Sequence, residues 1–243
     1  MWEWFERYWS SVGLGMALVL IVLLLSTDVL RHRTDVPRWR DPVWLAWATY
    51  VAYMLHNFEE YGIDAMGRAF HFPVTACDAF GFGDDPSCPL TPAFFTSVNV
   101  PIVWFGMSLA AFLARRMPAI GLVGAGVMFT NALSHISTLA NEYTPGTVTS
   151  IAIFLPLSMW IFVTQFGRSE GRLPYLSLVT IFVASILAQG VLLGLLSALS
   201  SGSISESAAI AVQTLDPVVL LGLPWLVQRL FPATARPRVA ASA

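Results

Sequence analysis

Lysine is absent from this 243-residue sequence, and charge of both signs is scarce: all 13 basic residues are arginines, and charged residues make up 12% of the chain. A soluble domain carries about 25% charged residues. The shortage excludes an ordinary cytosolic globular protein, a disordered chain and a nucleic-acid-binding protein with a basic face. The missing lysine excludes Schiff-base mechanisms, including a retinal protein built on a lysine imine. Two cysteines are too few for a disulfide scaffold.

Long apolar runs make up most of the chain instead. Hydrophobic residues account for 56% of the sequence, and the mean hydropathy is +0.67. A transmembrane helix needs about 20 apolar residues. Runs of that length, separated by charged residues or proline, predict an all-α, polytopic membrane bundle that forms a single domain over residues 1–243. We expect about seven transmembrane helices, at 12–30, 43–62, 92–114, 118–141, 147–167, 174–199 and 206–231.

The arginines fall on alternate connections between the predicted helices. One set of connections holds Arg31, Arg33, Arg38, Arg40, Arg115, Arg116, Arg168, Arg172, Arg229, Arg236 and Arg238. The other set is acidic, with Asp64, Asp78, Asp84, Asp85, Glu142 and Glu206, and Arg68 is the only arginine in it. Because cytoplasmic loops carry an excess of basic residues, the pattern predicts an extracytoplasmic N-terminus and a cytoplasmic C-terminus.

One long connection, at about 63–91, contains both cysteines, Cys77 and Cys88. The predicted topology places this loop in an oxidising compartment, where a disulfide persists. We therefore expect a bridge that stabilises the loop. Two free thiols are the other interpretation, and the acidic residues nearby are only a weak metal signal.

Ionisable side chains within spans are costly and therefore point to function. In the second predicted helix, His56, Glu59 and Glu60 are spaced i, i+3 and i+4, so they share one helical face. In the fourth, Asn131 and His135 share a face.

Both of these even-numbered helices end on the outer side. At 1.5 Å per residue, His56 and His135 each lie about 10 Å below the outer end of their helix, so the two clusters can meet. Glu142, seven residues beyond His135, is expected to return near the same face two turns further along.

Carboxylates packed together at low dielectric repel each other, and a divalent cation removes that cost while neutral imidazoles complete its coordination. The predicted ligands are His56, Glu59, Glu60, His135 and Glu142. Mixed nitrogen and oxygen donors suit zinc, iron or manganese. One of the two adjacent glutamates is then a ligand and the other the general base. A metal-free acid or proton-relay site and a structural polar cluster remain as alternatives.

The run His56-Asn57-Phe58-Glu59-Glu60 resembles the defining motif of the HXXEE family of bacterial integral membrane proteins. The stretch Asn131-Ala132-Leu133-Ser134-His135, followed by Glu142-Tyr143-Thr144-Pro145-Gly146, is similar to the second motif of that family. The resemblance covers about 43–166. It implies a multi-pass protein of the bacterial cytoplasmic membrane, and a membrane enzyme whose reaction is unassigned.

Further polar residues are candidates for catalysis or substrate binding. Asn131 or Tyr143 is a candidate to stabilise an oxyanion. Asn99, which precedes Pro101, either binds substrate or has a local backbone role. Asp216 precedes a proline, so it is either a helix N-cap or a catalytic residue.

These residues predict a membrane enzyme with a divalent-metal site near the outer leaflet. The expected partners are membrane lipid and a hydrophobic small molecule, lipid-like or isoprenoid, with hydrolysis favoured and isomerisation also open; no nucleic acid is expected. One alternative is a metal-free acid-catalysed cyclase or isomerase that uses Glu59 or Glu60 with Asp216. The other is a transporter of protons or divalent metal.

Overall fold

The computed structural model describes residues 1–83, 85, 87–139 and 142–232, and over these residues the protein is all-helical, as predicted. In chain order the helices are α1 (Trp2–Ser26), α2 (Pro42–Tyr61), α3 (Phe72–Ala79), α4 (Pro92–Leu113), α5 (Pro118–Leu139), α6 (Thr147–Gln165), α7 (Tyr175–Ser200) and α8 (Glu206–Leu230). Asp84, Arg236, Arg238 and the last two residues of the predicted helix 118–141 lie outside the described residues.

Six of the described helices are long and apolar enough to cross a membrane, namely α1, α4, α5, α6, α7 and α8. They indicate a multi-pass membrane protein. The helix predicted at 43–62 forms as α2 but is not among the six. Its polar residues lower its hydropathy, and fifteen of its twenty residues are buried by neighbouring helices. A helix enclosed in this way needs no apolar face towards lipid.

Two helices differ from their predicted limits for identifiable reasons. α1 begins at Trp2, ten residues before the predicted start, because the aromatic and charged N-terminal segment continues the helix. α8 is interrupted at Leu215, between Thr214 and Asp216, where Pro217 occupies the first turn of the second half. Proline is expected to interrupt a helix in this way, because it has no backbone N–H and crowds the preceding turn.

The centre of the bundle is α2, which packs against α1, α4, α5 and α6. Its first turn is capped by Asp41, whose side chain accepts hydrogen bonds from the backbone N–H groups of Val43 and Trp44. The helix ends at Tyr61, and the backbone N–H of Gly62 bonds to the carbonyl of Phe58. Between these ends, the polar residues His56, Glu59 and Glu60 are buried.

Two neighbours of α2 contain wide, π-helical turns. One runs over Val100–Met107 in α4 and the other over Ser150–Phe154 in α6. Pro101 lies in the first and Pro156 follows the second. Proline removes a backbone donor and crowds the preceding turn, which favours such irregularity. π-helical turns are frequent at functional sites, and each of these adjoins a residue of the site described below.

Within the long connection at 63–91, helix α3 was not expected from the sequence. Its residue Cys77 is bonded to Cys88 in the structure. The bridge joins α3 to the chain that leads into α4, so it restrains α3 relative to the start of α4.

Replacing both cysteines with serine is expected to lower the free energy of unfolding by about 2–3 kcal/mol, because the bridge closes a short loop and restricts the unfolded chain. Thermal unfolding in detergent, followed by circular dichroism, measures the change. Bound metal is expected to stay at the wild-type level, since neither cysteine contacts the site. Unchanged stability would contradict this role for the bridge.

Candidate metal site

Three buried side chains converge where α2 and α5 meet. Nε2 of His56 lies 3.3 Å from Oε1 of Glu60, and Nε2 of His135 lies 3.2 Å from the same oxygen. One ligand atom from each of the three residues falls within 4.8 Å of the other two. These residues form a group that could hold a metal ion, and we refer to them as the His-Glu-His group.

Helix geometry accounts for the convergence. His56 and Glu60 are four residues apart on α2, so they lie on one face, and α5 brings His135 to the same depth. The two imidazole rings lie 5.1 Å apart between centroids, and the ring of Phe154 packs on His56 at 4.4 Å. His56 is fully buried and His135 is 6% exposed, so water is largely excluded.

The far ring nitrogen of His56 is held by Thr149. Its Nδ1 lies 2.9 Å from Thr149 Oγ1, and that hydroxyl donates to Oε2 of Glu59 over 2.6 Å. A bond to a carboxylate is stronger than one to a neutral acceptor, so the hydroxyl proton is directed to Glu59. The hydroxyl oxygen then accepts a hydrogen bond from His56 Nδ1–H. We therefore assign the lone pair of His56 to Nε2, which faces Glu60.

His135 is oriented in the same manner by Thr144, whose Oγ1 lies 3.1 Å from His135 Nδ1. The neighbouring hydroxyl of Thr147 donates to a backbone carbonyl over 2.6 Å, which leaves its oxygen free to accept from Thr144 at 3.1 Å. Thr144 can then accept from His135 Nδ1–H. We therefore assign the lone pair of His135 to Nε2 as well, so that the lone pairs of both histidines face one carboxylate oxygen.

Replacing Thr149 with valine is expected to weaken metal binding by about 10–100-fold, the usual effect of removing a hydrogen-bond partner of a ligand. Valine keeps the shape of threonine but cannot hold His56 Nδ1. Titration of the purified protein with a competing chelator measures the affinity. Thr164→Val is the control, because that hydroxyl is on the same helix and bonds only outside the site. Equal affinities of the two variants would contradict the assignment.

Glu59 is not in the His-Glu-His group, because its carboxylate is turned towards the start of α6. Oε1 accepts from the hydroxyl of Tyr143 and the backbone N–H of Val148, each at 3.0 Å. Oε2 accepts from the backbone N–H of Thr149 at 2.7 Å as well as from its hydroxyl. A carboxylate is favourable at a helix N-terminus. Neither a ligand role nor a general-base role matches these contacts.

Tyr143 completes this support and is not directed at the cavity. Its hydroxyl donates to Glu59 and accepts from the backbone N–H of Ala65 at 3.2 Å, so it links the connection that follows α2 to the carboxylate of Glu59. Burial, reinforced by the nearby carboxylate of Glu59, raises the pKa of Tyr143 to about 12. The phenol therefore remains a hydrogen-bond donor at neutral pH.

Gly146 forms one wall of the site. Its φ of +94° lies in the left-handed region, which glycine adopts without strain. A Cβ at this position would lie 2.7 Å from Cε1 of His56, 2.8 Å from Cε1 of His135 and 3.0 Å from Cγ of Glu60. The backbone can approach all three members of the group only because the side chain is absent.

Glu142, predicted as a further ligand, is exposed and lies outside the group. The prediction assumed that the helix continues in register as far as Glu142. α5 is described only as far as Leu139, and Glu142 is not helical. Its side chain is therefore not returned to the face of His135.

A mostly apolar cavity of about 230 Å³ adjoins the group, and Glu60 and His135 both line it. Three other predicted site residues also line this cavity, Asn99, Asn131 and Asp216. The amide nitrogen of Asn99 donates to the hydroxyl of Tyr61 and to the carbonyl of Phe95, each at 3.1 Å, so it has the local role and also borders the cavity. Oδ1 of Asn131 is buried without a partner.

The N-cap interpretation of Asp216 is wrong. The capping position of the second half of α8 is Leu215, and no side chain caps the helix there. Asp216 lies one residue inside the helix and accepts from the amide of Gln213 at 3.1 Å instead. Asp216 also lines the cavity.

A divalent cation fits the donors that converge here. Two imidazole lone pairs and a carboxylate oxygen face one another, and Nε2 of His56 is buried with no hydrogen-bond partner. Three acceptors with no proton between them repel, and a cation converts that repulsion into coordination. Ligand bonds of about 2.0–2.1 Å in tetrahedral directions separate two donor atoms by about 3.3 Å. The two distances to Glu60 Oε1 match this separation.

Three residues of this site, Thr144, Gly146 and Thr149, were not predicted from the sequence. The available signal was the hydroxyl-rich run from Thr144 to Ser150, which extends across the start of the apolar helix α6. The hydroxyls at 144 and 149 serve as the outer partners of the two histidines, and the turn between them brings Gly146 against the ligands.

Comparison with curated proteins and with solved structures finds no match to this chain. Residues 47–161 match the model of a family described as a protein of unknown function with HXXEE motif. Every member of the His-Glu-His group, together with Glu59, Thr144 and Thr149, falls within the matched residues. The predicted resemblance to the HXXEE-motif family is thereby confirmed over the part of the chain that builds the candidate site.

Proposed function

We propose that this protein is an integral membrane enzyme that uses a divalent ion, held by His56, Glu60 and His135, to act on a hydrophobic small molecule. The observation that carries the proposal is the convergence of Nε2 of two histidines on a buried carboxylate oxygen at the wall of an apolar cavity. Two histidines and one glutamate are a ligand set of catalytic zinc sites, which leave a further position open. Iron and manganese accept the same donors.

The chemistry that such an ion supplies is polarisation of a substrate oxygen or activation of a water molecule. The residues of the chain have separate tasks around it. Glu60 and His135 present their donor atoms to the cavity, and Thr149 and Thr144 fix the imidazole tautomers. Glu59 is a positioning residue, because it anchors Thr149 and the first turn of α6.

The composition of the cavity favours a substrate that arrives from the membrane. Its wall is built from aromatic and aliphatic side chains, among them Phe72, Phe95, Val98, Ile102 and Leu192. Such a surface suits a lipid-like or isoprenoid molecule. Asn99 and Asn131 are the polar side chains available to orient its reacting group. Hydrolysis is our favoured reaction.

We also propose that α2 is a seventh span and that the N-terminus is extracytoplasmic. Enclosure of α2 by four neighbours explains how a polar helix can lie in a membrane, and the arginines at the connection before it support the orientation. A reporter enzyme fused at Ala243 is expected to be located and active in the cytoplasm. Activity of that fusion outside the cytoplasm would contradict the orientation.

The test combines metal analysis with an ester assay. Protein purified without chelators and reconstituted in nanodiscs is expected to hold a near-stoichiometric divalent ion. It is expected to hydrolyse medium- or long-chain p-nitrophenyl esters, to lose that activity in a chelator and to regain it with added zinc. A wild-type protein without metal would overturn the metal site, and a metal-loaded protein that cleaves none of the esters would overturn hydrolysis.

Acid catalysis without a metal is the second candidate, and one observation favours it. Asp216 borders the same cavity as Glu60, so two carboxyl groups face the space where a substrate would lie. This reaction needs no ion and would survive a chelator. The same nanodisc preparation therefore separates the two proposals.

A further inference from the structure

A second polar pair lies in the cavity wall, at the break in α8. Gln213 is fully buried and Asp216 is 2% exposed, and the amide nitrogen of Gln213 donates to Oδ2 of Asp216 at 3.1 Å. The remaining two oxygens, Oε1 of Gln213 and Oδ1 of Asp216, are buried without any hydrogen-bond partner. Both residues lie beyond the segment that matches the HXXEE-motif family, and neither belongs to the His-Glu-His group.

The two oxygens are buried hydrogen-bond acceptors without a donor. A buried polar atom without a partner is rare and unfavourable, because the hydrogen bonds it made to water in the unfolded chain are not replaced. Both side chains line the cavity, so a molecule inside it can supply the missing donors. The rest of the wall is mostly apolar and offers such a molecule hydrocarbon contacts instead.

Gln213 and Asp216 lie well inside α8, some distance along the helix from the end that we place on the outer side. The outer end of this helix is marked by Glu206, which accepts a hydrogen bond from Thr91. Gln213 is seven residues further along, or roughly 10 Å deeper at the helical rise. The helix is long and apolar enough to cross a membrane, and Val212 and Leu215 beside the pair are exposed. We therefore expect a donor group that reaches the pair to be attached to an apolar molecule.

We propose that Gln213 and Asp216 form a subsite for the hydrogen-bond donor of an amphiphile, a hydroxyl or an ammonium group, whose hydrocarbon chain lies along the apolar wall. The inference rests on the proposed function, because it names the class of molecule that occupies the same cavity. A molecule bound in this way has its donor at the pair and another part within reach of Glu60 and His135.

The experiment compares three probes with one hydrocarbon chain and different head groups: 1-decanol, decylamine and decyl methyl ether. The first two donate hydrogen bonds and the ether cannot. Calorimetric titration into protein in nanodiscs, with empty nanodiscs subtracted, measures binding to the protein alone. Wild-type protein is expected to bind at least one donor probe about tenfold more tightly than the ether, because a site built around acceptors rejects an analogue without a donor.

Two variants test whether Gln213 and Asp216 cause this preference for donor probes. Asp216→Leu and Gln213→Met each remove one unpaired acceptor with little change in volume, and each is expected to reduce the preference to less than about twofold. Leu196→Met changes the same wall without altering its polarity and is expected to keep the preference. Folding is checked by size-exclusion chromatography, and Gln213→Met carries the test if Asp216→Leu does not fold.

The outcomes separate this inference from the proposed function. A wild-type protein that binds all three probes equally, or variants that keep the preference, would overturn the subsite. If the variants lose the preference for 1-decanol over the ether but not that for decylamine, the ligand has a hydroxyl group. If they lose only the preference for decylamine, the ligand has an ammonium group. Neither variant is expected to change the metal content of the same samples. A protein without metal would contradict the proposed function, but it would not affect the binding result for the subsite.

Discussion

Replacement of Glu60 by glutamine is expected to lower metal affinity by more than about 100-fold. Changes in the outer partners of ligands alone cost about 10–100-fold, and this change removes a ligand charge at the centre of the group. Glu60 Oε1 is the atom that both histidine nitrogens approach, at 3.2 and 3.3 Å. Glutamine keeps the length and volume of the side chain, so the helix is expected to remain folded. Elemental analysis after dialysis, with a competing chelator, measures the loss.

Two further glutamine variants are the matched controls. Glu142→Gln makes the same substitution at an exposed position outside the group and is expected to leave metal content unchanged. Glu59→Gln removes the charge that anchors Thr149 and is expected to weaken binding less than Glu60→Gln, because Glu59 acts through His56 rather than on the ion. Equal losses in all three variants would show a general effect of lost charge. An unaffected Glu60→Gln protein would contradict the site.

The meeting of His56 and His135 followed from the sequence because it depends only on regular helices. Spacing of four residues places His56 and Glu60 together, and equal depth on two helices that end on the same side allows His135 to join them. The prediction for Glu142 was wrong because helical spacing applies only along an unbroken helix, and the chain is not helical at Glu142.

The different roles of the adjacent residues Glu59 and Glu60 could not be predicted from the sequence. Both occur in one motif, and helical spacing allows either to face the second histidine. What separates them is the start of α6, which offers Glu59 the backbone N–H groups of Val148 and Thr149. That start is distant in sequence, and its approach depends on the turn at Gly146. A tertiary contact therefore decides the role of each carboxylate.

The status of α2 shows a similar limit for the fold. Hydropathy identifies the six helices that are long and apolar enough to cross a membrane, but it cannot identify a polar helix that other helices enclose. Asn57, which is buried with neither amide atom paired, illustrates how far the polarity of α2 departs from that of its neighbours. Membrane proteins place such residues towards the bundle interior.

Gly146→Ala is expected to abolish metal binding without touching any ligand. The added Cβ would lie 2.7 and 2.8 Å from the imidazole carbons of His56 and His135, closer than side-chain atoms approach one another in proteins. Neither ring can retreat easily, since His56 packs on Phe154 and each Nδ1 is bonded to a threonine. We therefore expect the rings to rotate away from Glu60 and the metal affinity to fall by more than about 100-fold.

Gly202→Ala is the matched control for backbone strain. Gly202 also has a positive φ, of +68°, but nothing lies within 4 Å of the Cβ that alanine would add. Its substitution is expected to cost only the roughly 1–2 kcal/mol of a left-handed alanine and to leave bound metal unchanged. Metal content and thermal unfolding of the two variants separate strain from obstruction. Wild-type metal affinity in Gly146→Ala would mean that the close approach of this backbone to the two histidines does not define the site.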